Sequence, residues 1–273
     1  MTDVLTEKYE RLCSALRELG SAAVAFSGGV DSTLLLRAAH DTLGENCLAV
    51  TARSVFVPTR EMEEAEALCA AMEVRLLTLE MDTLAIPGVA ANPPERCYLC
   101  KRAILGAIRG AAAQRGMKNV VEGSNADDAR DYRPGARAVK ELGVRSPLLE
   151  AGLTKAEIRT LSRTLGLPTA DKPSMACLAS RFPCGEALTP EGLRRVEAAE
   201  TYLDGLGLTQ RRIRVHGDLA RIEALPGETP LITARAAEIA AALKALGFRY
   251  VALDLIGYRT GSMNPAGAMK EVK

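Results

Sequence analysis

The stretch "AAVAFSGGVDSTLLLRAAH" (Ala22–His40) constrains the fold more than any other part of the chain. An apolar run of strand length ends in Ser-Gly-Gly, and a helical pattern starts near Asp31. A buried strand feeding a helix through so short a turn is the opening unit of a parallel α/β sheet, which receives ligands at the carboxyl ends of its strands. Two glycines let the backbone turn tightly and aim successive N–H groups at an anion, and the helix adds its positive dipole end. The turn is a phosphate site, or else a plain glycine turn with Asp31 as helix cap. It is not a Gly-Lys-Ser/Thr nucleotide loop, because it contains no lysine, and it lacks G-x-G-x-x-G.

The first two-thirds of the chain keeps this rhythm. The apolar runs "CLAVTA", "VRLLTL" and "NVVEG" read as further buried strands, and 31–43, 59–72 and 97–116 as helices between them. "MTDVLTEKYERLCSALRELG" is an amphipathic helix bearing acids and bases, unlike a secretory leader. Thr154 and Glu157 stand at capping-box spacing ahead of another helix. The segment "DKPSMACLASRFPCGE" reads as an ordered functional loop. Beyond it, Thr189 and Pro190 open a helix reaching about Gly205. "RRIRVHGDLARIEAL" alternates around a His-Gly-Asp turn as a hairpin, followed by a helix over about 233–246 and a strand in "RYVALDLIGYR". The expected organisation is a doubly wound parallel-sheet domain over 1–170, a cysteine-containing active-site loop over 171–187 and a smaller α+β domain over 188–273.

Composition removes several classes of function. A net charge of +1 gives no blanket attraction to nucleic acid, and no run approaches the length of a membrane span. The expected location is the cytoplasm, where seven cysteines are thiols or metal ligands rather than disulfides. Cys13, Cys47 and Cys69 lie in apolar-periodic segments and read as packing. Cys97 and Cys100 share the C-x-x-C of "ERCYLCK", with Cys177 and Cys184 downstream. Four thiolates could close a zinc site, and three could hold an iron–sulfur cluster with one iron left open; spacing alone leaves both standing. Two histidines, His40 and His216, argue against histidine triads and zinc-hydrolase sites.

Other candidates follow from position. Arg212 and Arg214 are two apart on a predicted strand and so share a face, where guanidinium forks suit a phosphate or carboxylate; Arg181 and Arg259 are further candidates. Gly123 ends the fourth strand and permits a close backbone approach where adenine or ribose could lie. Asp127, Asp128 and Asp131 could orient magnesium or substrate, or simply cap a solvated turn. Glu200 could face the site from its helix as a metal ligand or proton acceptor, although an exposed helical glutamate is the default expectation.

S-G-G-x-D-S after the first strand resembles the PP-loop ATP pyrophosphatase superfamily, whose fold is adenine nucleotide alpha hydrolase-like. The resemblance implies that Ser27, Gly28, Gly29, Asp31 and Ser32 bind the β,γ-phosphates of ATP with Mg2+, with Gly123 at the nucleotide and Asp31 taking part in catalysis. "AFSGGVDSTLLL", "ERCYLCK", "DDARDYRPGARAVKELGVRS", "CLASRFPCGEALT", "RIRVHGDLARIE" and "YVALDLIGYRTGSMN" are together similar, in order, to the LarE family of sulfur transferases. That family adenylates a carboxylate of pyridinium-3,5-biscarboxylic acid mononucleotide and converts it to a thiocarboxylate, in biosynthesis of the nickel-pincer nucleotide cofactor of lactate racemase. One variant gives up the sulfur of a single cysteine at the position of Cys177. The other binds a [4Fe–4S] cluster on three cysteines, and Cys97, Cys100 and Cys177 match it. Cys184 falls where the family has tyrosine.

The same resemblance implies Arg212 and Arg214 as ligands of the substrate phosphate, with Arg259 as a third candidate, and Ser180 and Arg181 beside Cys177 at the catalytic centre. It implies a small-molecule nucleotide substrate, no nucleic-acid or membrane partner, a homo-oligomer (trimer or hexamer), and handover to other enzymes of nickel-pincer cofactor biosynthesis. Two alternatives stand beside it. A tRNA thiolase of the same superfamily would carry RNA-binding features, of which neither a second C-x-x-C nor a positive balance is present. A nucleotide- or iron–sulfur-binding module would keep the loop without catalysis.

Overall fold

The computed structural model describes residues 3–130, 134–174, 176–259 and 261–263. The chain forms two compact units, Met1–Asp82 with Cys97–Met175, and Thr83–Arg96 with Ala176–Lys273. In chain order the first unit carries α1 (Asp3–Leu19), β1 (Ala22–Ala25), α2 (Val30–Leu43), β2 (Cys47–Arg53), α3 (Thr59–Ala71), β3 (Leu76–Glu80), α4 (Arg96–Ala113), β4 (Val120–Val121), α5 (Gly135–Glu141), α6 (Pro147–Glu150) and α7 (Lys155–Thr164).

Its four strands are all parallel, in the order β3-β2-β1-β4. Alternation along each strand explains why helices cover both faces. Ala22 and Val24 of β1, with Cys47 and Ala49 of β2, join a cluster containing Leu12 and Leu16 of α1, Leu34–Leu36 of α2 and Ile158 and Leu161 of α7. Ala23, Leu48 and Val50 join the opposite cluster with Leu105, Ile108 and Ala112 of α4. Three successive buried leucines mark α2 as the central helix, each contributing roughly 1.5–3 kcal/mol on burial. The chain builds outward from β1 to β3 and then returns to β4 on the other side of β1. The loops after β1 and β4 therefore diverge at a topological switch point, where such sheets bind ligands. The predicted capping box is present at α7: Thr154 Oγ1 accepts the Glu157 N–H at 3.3 Å and the Glu157 carboxylate accepts the Thr154 N–H at 2.9 Å. Lys8 of α1 donates to the same carboxylate at 2.7 Å.

The second unit contains α8 (Pro190–Gly205), β5 (Arg211–His216), β6 (Leu219–Ala224), α9 (Thr229–Ala234), α10 (Ala236–Ala245) and β7 (Tyr250–Leu253). β5 and β6 form the expected antiparallel hairpin across Gly217 (φ +59°), and β7 lies parallel to β6. Register places Arg212 opposite Glu223 and Arg214 opposite Arg221, giving one charged face; Ile213, Val215, Ala220 and Ile222 occupy the other. The helix expected over about 233–246 is α10, and the short α9 precedes it, the two separated at Arg235 (φ −110°, ψ 20°). Thr233 returns its hydroxyl to the carbonyls of Thr229 and Pro230, a local bond that competes with helix continuation. Among the described residues no helix is long and apolar enough to cross a membrane.

Candidate functional site

In the first unit the turn between β1 and α2 is built as a closed loop. Gly28 has φ +68°, which favours glycine, and a Cβ there would lie 3.2 Å from the Ala65 Cβ. Ser32 Oγ accepts the Ser27 N–H at 3.3 Å, donates to the Gly29 carbonyl at 3.1 Å and lies 3.1 Å from Ser27 Oγ. Gly29 caps α2 with no side-chain bond, so the first N–H groups of the helix face the loop. Across the switch point, a Cβ on Gly123 would meet the Ser32 nitrogen at 3.1 Å. The close approach foreseen at Gly123 is thus made to the head of α2.

Two lysines distant in sequence complete the loop. Lys155, the first residue of α7, places Nζ 2.5 Å from Asp31 Oδ2. Asn125 Nδ2 reaches the other Asp31 oxygen at 3.4 Å. Lys172 donates to the Gly28 carbonyl at 3.1 Å and pairs with Glu64 at 2.8 Å.

Cys97 and Cys100 lie at the start of α4, the former exposed, the latter half-buried. The next residue, Lys101, donates to Glu122 Oε2 at 2.9 Å at the end of β4. Glu122 also accepts from Ser146 Oγ (2.5 Å) and the Ser124 N–H (3.1 Å). Burial alone would raise this carboxyl; Lys101 and these donors outweigh it and hold it below the ordinary range. A Cβ on Gly135 would lie 2.9 Å from Lys101 Cδ, so α5 also confines that side chain. Cys97 lines a cleft of about 550 Å3 with Lys101, Ser124 and Ser146.

In the second unit Cys177 caps a short 3-10 turn, Leu178–Arg181, its carbonyl accepting the Ser180 N–H at 2.9 Å. Arg96 Nη1 lies 3.3 Å from Cys177 Sγ. Arg181 is fully buried. Its Nε and Nη2 grip the two Glu200 oxygens at 2.9 Å each, and Nη1 reaches the carbonyls of Ala176 (2.5 Å) and Cys177 (3.1 Å) and Ser180 Oγ (3.0 Å). Glu200 also accepts the Ile213 N–H at 3.0 Å, which ties α8 to β5. Arg214 donates to Glu223 at 2.9 Å and to the Ser180 carbonyl at 3.1 Å. Arg212 is buried, 5.3 Å from the Tyr258 ring centre. Burial, then the Arg181 charge, pull its pKa down to about 10, which leaves it a cation at neutral pH. Among the described residues, Arg96, Arg181, Arg212 and Arg214 are buried in this unit together with Glu200 and Glu223.

No protein-family model matches the chain. An uncharacterized protein of Synechocystis sp. is 43% identical over 263 residues, 96% of this chain and 98% of the relative. An uncharacterized protein of Methanocaldococcus jannaschii is 28% identical over 237 residues, 87% and 90% of the two chains. The pyridinium-3,5-bisthiocarboxylic acid mononucleotide synthase of Lactiplantibacillus plantarum is 39% identical over 265 residues, 95% of each chain. The chain belongs to the LarE family.

Within this LarE-family chain the expected site residues sort by environment. Ser27, Gly28, Gly29, Asp31, Ser32 and Gly123 share one end of the parallel sheet. Asp127 accepts the Lys155 N–H at 2.8 Å and Asp128 the Asn125 N–H at 3.0 Å, so both serve as turn acceptors; Asp131 lies outside the described residues. The exposed glutamate expected at position 200 is corrected: Glu200 is 5% exposed, because Arg181 and the Ile213 N–H satisfy it in the interior. Arg181 is turned inward and shapes the Cys177 turn. Arg259 is exposed, and its guanidinium bonds no other described residue.

Cys47 and Cys69 are buried, which pushes each thiol up to about 12 and suits packing; Cys13 is half-buried. His40 sits half-buried on α2 and His216 is exposed at the end of β5. Among the described residues no three His, Cys, Asp or Glu side chains converge as a metal site. Cys184 is exposed on a stretch pinned by Asn92, whose Nδ2 donates to the Pro183 carbonyl at 2.7 Å and whose carbonyl accepts the Gly185 N–H at 2.8 Å. Asn92, Arg96, Lys101, Glu122, Lys155, Lys172 and Glu223 were not foreseen. Two carried a local signal, Lys101 directly after C-x-x-C and Glu122 closing an apolar strand.

Proposed function

We propose that this protein uses ATP to adenylate a carboxylate of pyridinium-3,5-biscarboxylic acid mononucleotide and exchanges the adenylated oxygen for sulfur. The product is a thiocarboxylate on the route to the nickel-pincer nucleotide of lactate racemase. Beyond family membership, one observation carries the reading. Cys177 shares a single 3-10 turn with Ser180, whose carbonyl accepts from Arg214, so the sulfur-bearing position and the buried arginine pair belong to one unit.

The chemistry assigns work to both units. A carboxylate is a poor electrophile and its oxygen a poor leaving group; attack on the α-phosphorus releases pyrophosphate and makes AMP the group to be displaced. The N–H groups at the head of α2, with the Ser27 and Ser32 hydroxyls, bind the β,γ-phosphates, and Gly123 keeps the loop's far wall at backbone distance. Asp31, a carboxylate inside that loop, suits Mg2+, which would neutralise phosphate charge there. Arg212 and Arg214 bind the substrate's phosphate, with Arg259 as an outer contact, while Ser180 and Arg181 set the backbone that presents Cys177.

Family resemblance, with Cys97 and Cys100 three residues apart on α4, supports Cys97, Cys100 and Cys177 as the thiolates that would hold a [4Fe–4S] cluster with an open iron. Sulfide at the open iron would supply the nucleophile. A homo-oligomer, trimer or hexamer, handing its product to other enzymes of nickel-pincer synthesis completes the reading.

Protein purified without oxygen and given ATP, magnesium and the biscarboxylate should release AMP and form thiocarboxylate, with iron and sulfide bound. Cys97→Ala should lose iron and thiocarboxylate yet still release pyrophosphate. Full turnover by colourless, metal-free protein would exclude the cluster, and absence of AMP would exclude adenylation.

A further inference from the structure

The phosphate loop contains no lysine, yet two ammonium groups stand on it. Lys155 comes from 124 residues beyond Asp31 and Lys172 from 144 residues beyond Gly28. α7 governs both. Lys155 is its first residue, with the backbone N–H held by Asp127 and the helix start locked by the Thr154–Glu157 capping box. The segment carrying Lys172 is clamped by Arg159 of α7, which donates to the carbonyls of Ala170 (2.6 Å) and Lys172 (2.9 Å). Each lysine therefore has a fixed backbone and a long, flexible stem ending in a charge at the loop.

Each lysine has one partner on the loop that a nucleotide would displace, and Lys172 also pairs with Glu64 at 2.8 Å. The Lys155 ammonium sits on one oxygen of Asp31, the carboxylate suited to a divalent cation, and is 33% exposed. Lys172 rests on the carbonyl of Gly28, inside the turn whose N–H groups bind phosphate. A polyphosphate arriving with its metal offers both ammonium groups a denser anion than a single carboxylate or carbonyl.

We propose that Lys155 and Lys172 grip the outer phosphates of ATP, and that Lys155 holds Asp31 as a stand-in cation until metal and nucleotide take its place. The inference rests on the adenylating function proposed above. It supplies in trans the charge that a Gly-Lys-Ser/Thr loop carries within itself. A merely structural role, in which each lysine only neutralises a neighbour, makes different predictions.

The test is equilibrium binding. Calorimetry with magnesium pyrophosphate and a non-hydrolysable ATP analogue should show Lys155→Met and Lys172→Met each weakened roughly 10- to 100-fold, the loss of one charge-assisted contact. Lys155→Arg should recover most of that affinity. Manganese titrated without nucleotide, read by electron paramagnetic resonance, should bind Lys155→Met about two- to fivefold more tightly, since its competitor for Asp31 is gone. Lys172→Met should leave manganese affinity unchanged. Pyrophosphate affinity equal to wild type in both methionine variants overturns the phosphate grip, and manganese affinity that does not rise in Lys155→Met overturns the stand-in role. If Lys155→Met fails to fold, Lys155→Gln carries the same measurements. A wild-type chain that binds neither nucleotide nor pyrophosphate defeats the proposed function and this inference together. Wild-type binding with unaffected variants defeats this inference alone.

Discussion

The two units handle charge in opposite ways. Around the phosphate loop, Asp31–Lys155 and Glu64–Lys172 are partly in water, with side-chain exposures of 22% and 33% in the first pair and 36% and 16% in the second. Such contacts are weak in net terms and can be exchanged for a ligand. In the second unit, Arg181–Glu200 and Arg214–Glu223 are dry, and each member is further bonded to backbone or a neighbouring side chain. Removing one member there strands a buried charge. The contrast separates groups that would bind a ligand by changing partner from groups that are fixed in place before any ligand arrives. Arg181 and Glu200 belong to the second kind although they sit beside Cys177.

The contrast can be broken first at its strongest point. Glu200→Ala leaves the Arg181 guanidinium buried without its carboxylate, and the unfolding free energy should fall by about 3–5 kcal/mol. Urea denaturation measures it; a loss under about 1 kcal/mol would place this pair in the exchangeable class and erase the difference. Acid sharpens the same comparison. Burial alone would raise the Glu200 carboxyl, but Arg181 and the Ile213 N–H hold it below its ordinary value. Its contribution is therefore complete above about pH 4.5 and is lost as pH falls through the lower folded value, so Glu200→Gln should flatten the acid limb of a stability profile.

Smaller effects are expected in the first unit. Gly28→Ala forces a side chain into φ +68° against Ala65, costing about 1–2 kcal/mol and weakening ATP binding measured by calorimetry. Unchanged melting and unchanged affinity would mean that the turn tolerates a Cβ. Lys155→Met should shift stability by less than about 1 kcal/mol, because the pair is partly in water. A larger loss in thermal unfolding would assign Lys155 to the scaffold.

Local signals made much of this legible. The strand–glycine–helix junction specified the parallel sheet, and alternation in "RRIRV" placed Arg212 and Arg214 on one face of β5. The capping box at Thr154 and the start of α8 at Pro190 were also readable, because each is set by residues within one turn. The short α9 ahead of Arg235 was not, since six residues carry too little helical pattern to stand apart from α10. Burial of Glu200 was hidden for another reason. Its partners, Arg181 and the Ile213 N–H, lie 19 and 13 residues away on other elements, and a glutamate on a helix carries no mark of who will meet it. Lys155 and Lys172 escaped for the same reason at greater range. The motif ends at Ser32, while Lys155 opens α7 and Lys172 follows it.

Thr83–Arg96 belongs to the second unit but is synthesised long before the rest of it. Asn92 and its acceptor at Pro183 are 91 residues apart. At ribosomal speed that is roughly 5–20 s during which the early segment has emerged and its mate has not. The nascent chain must therefore set aside this short piece while later elements are still being made, and no single proteolytic cut or truncation would release the second unit whole.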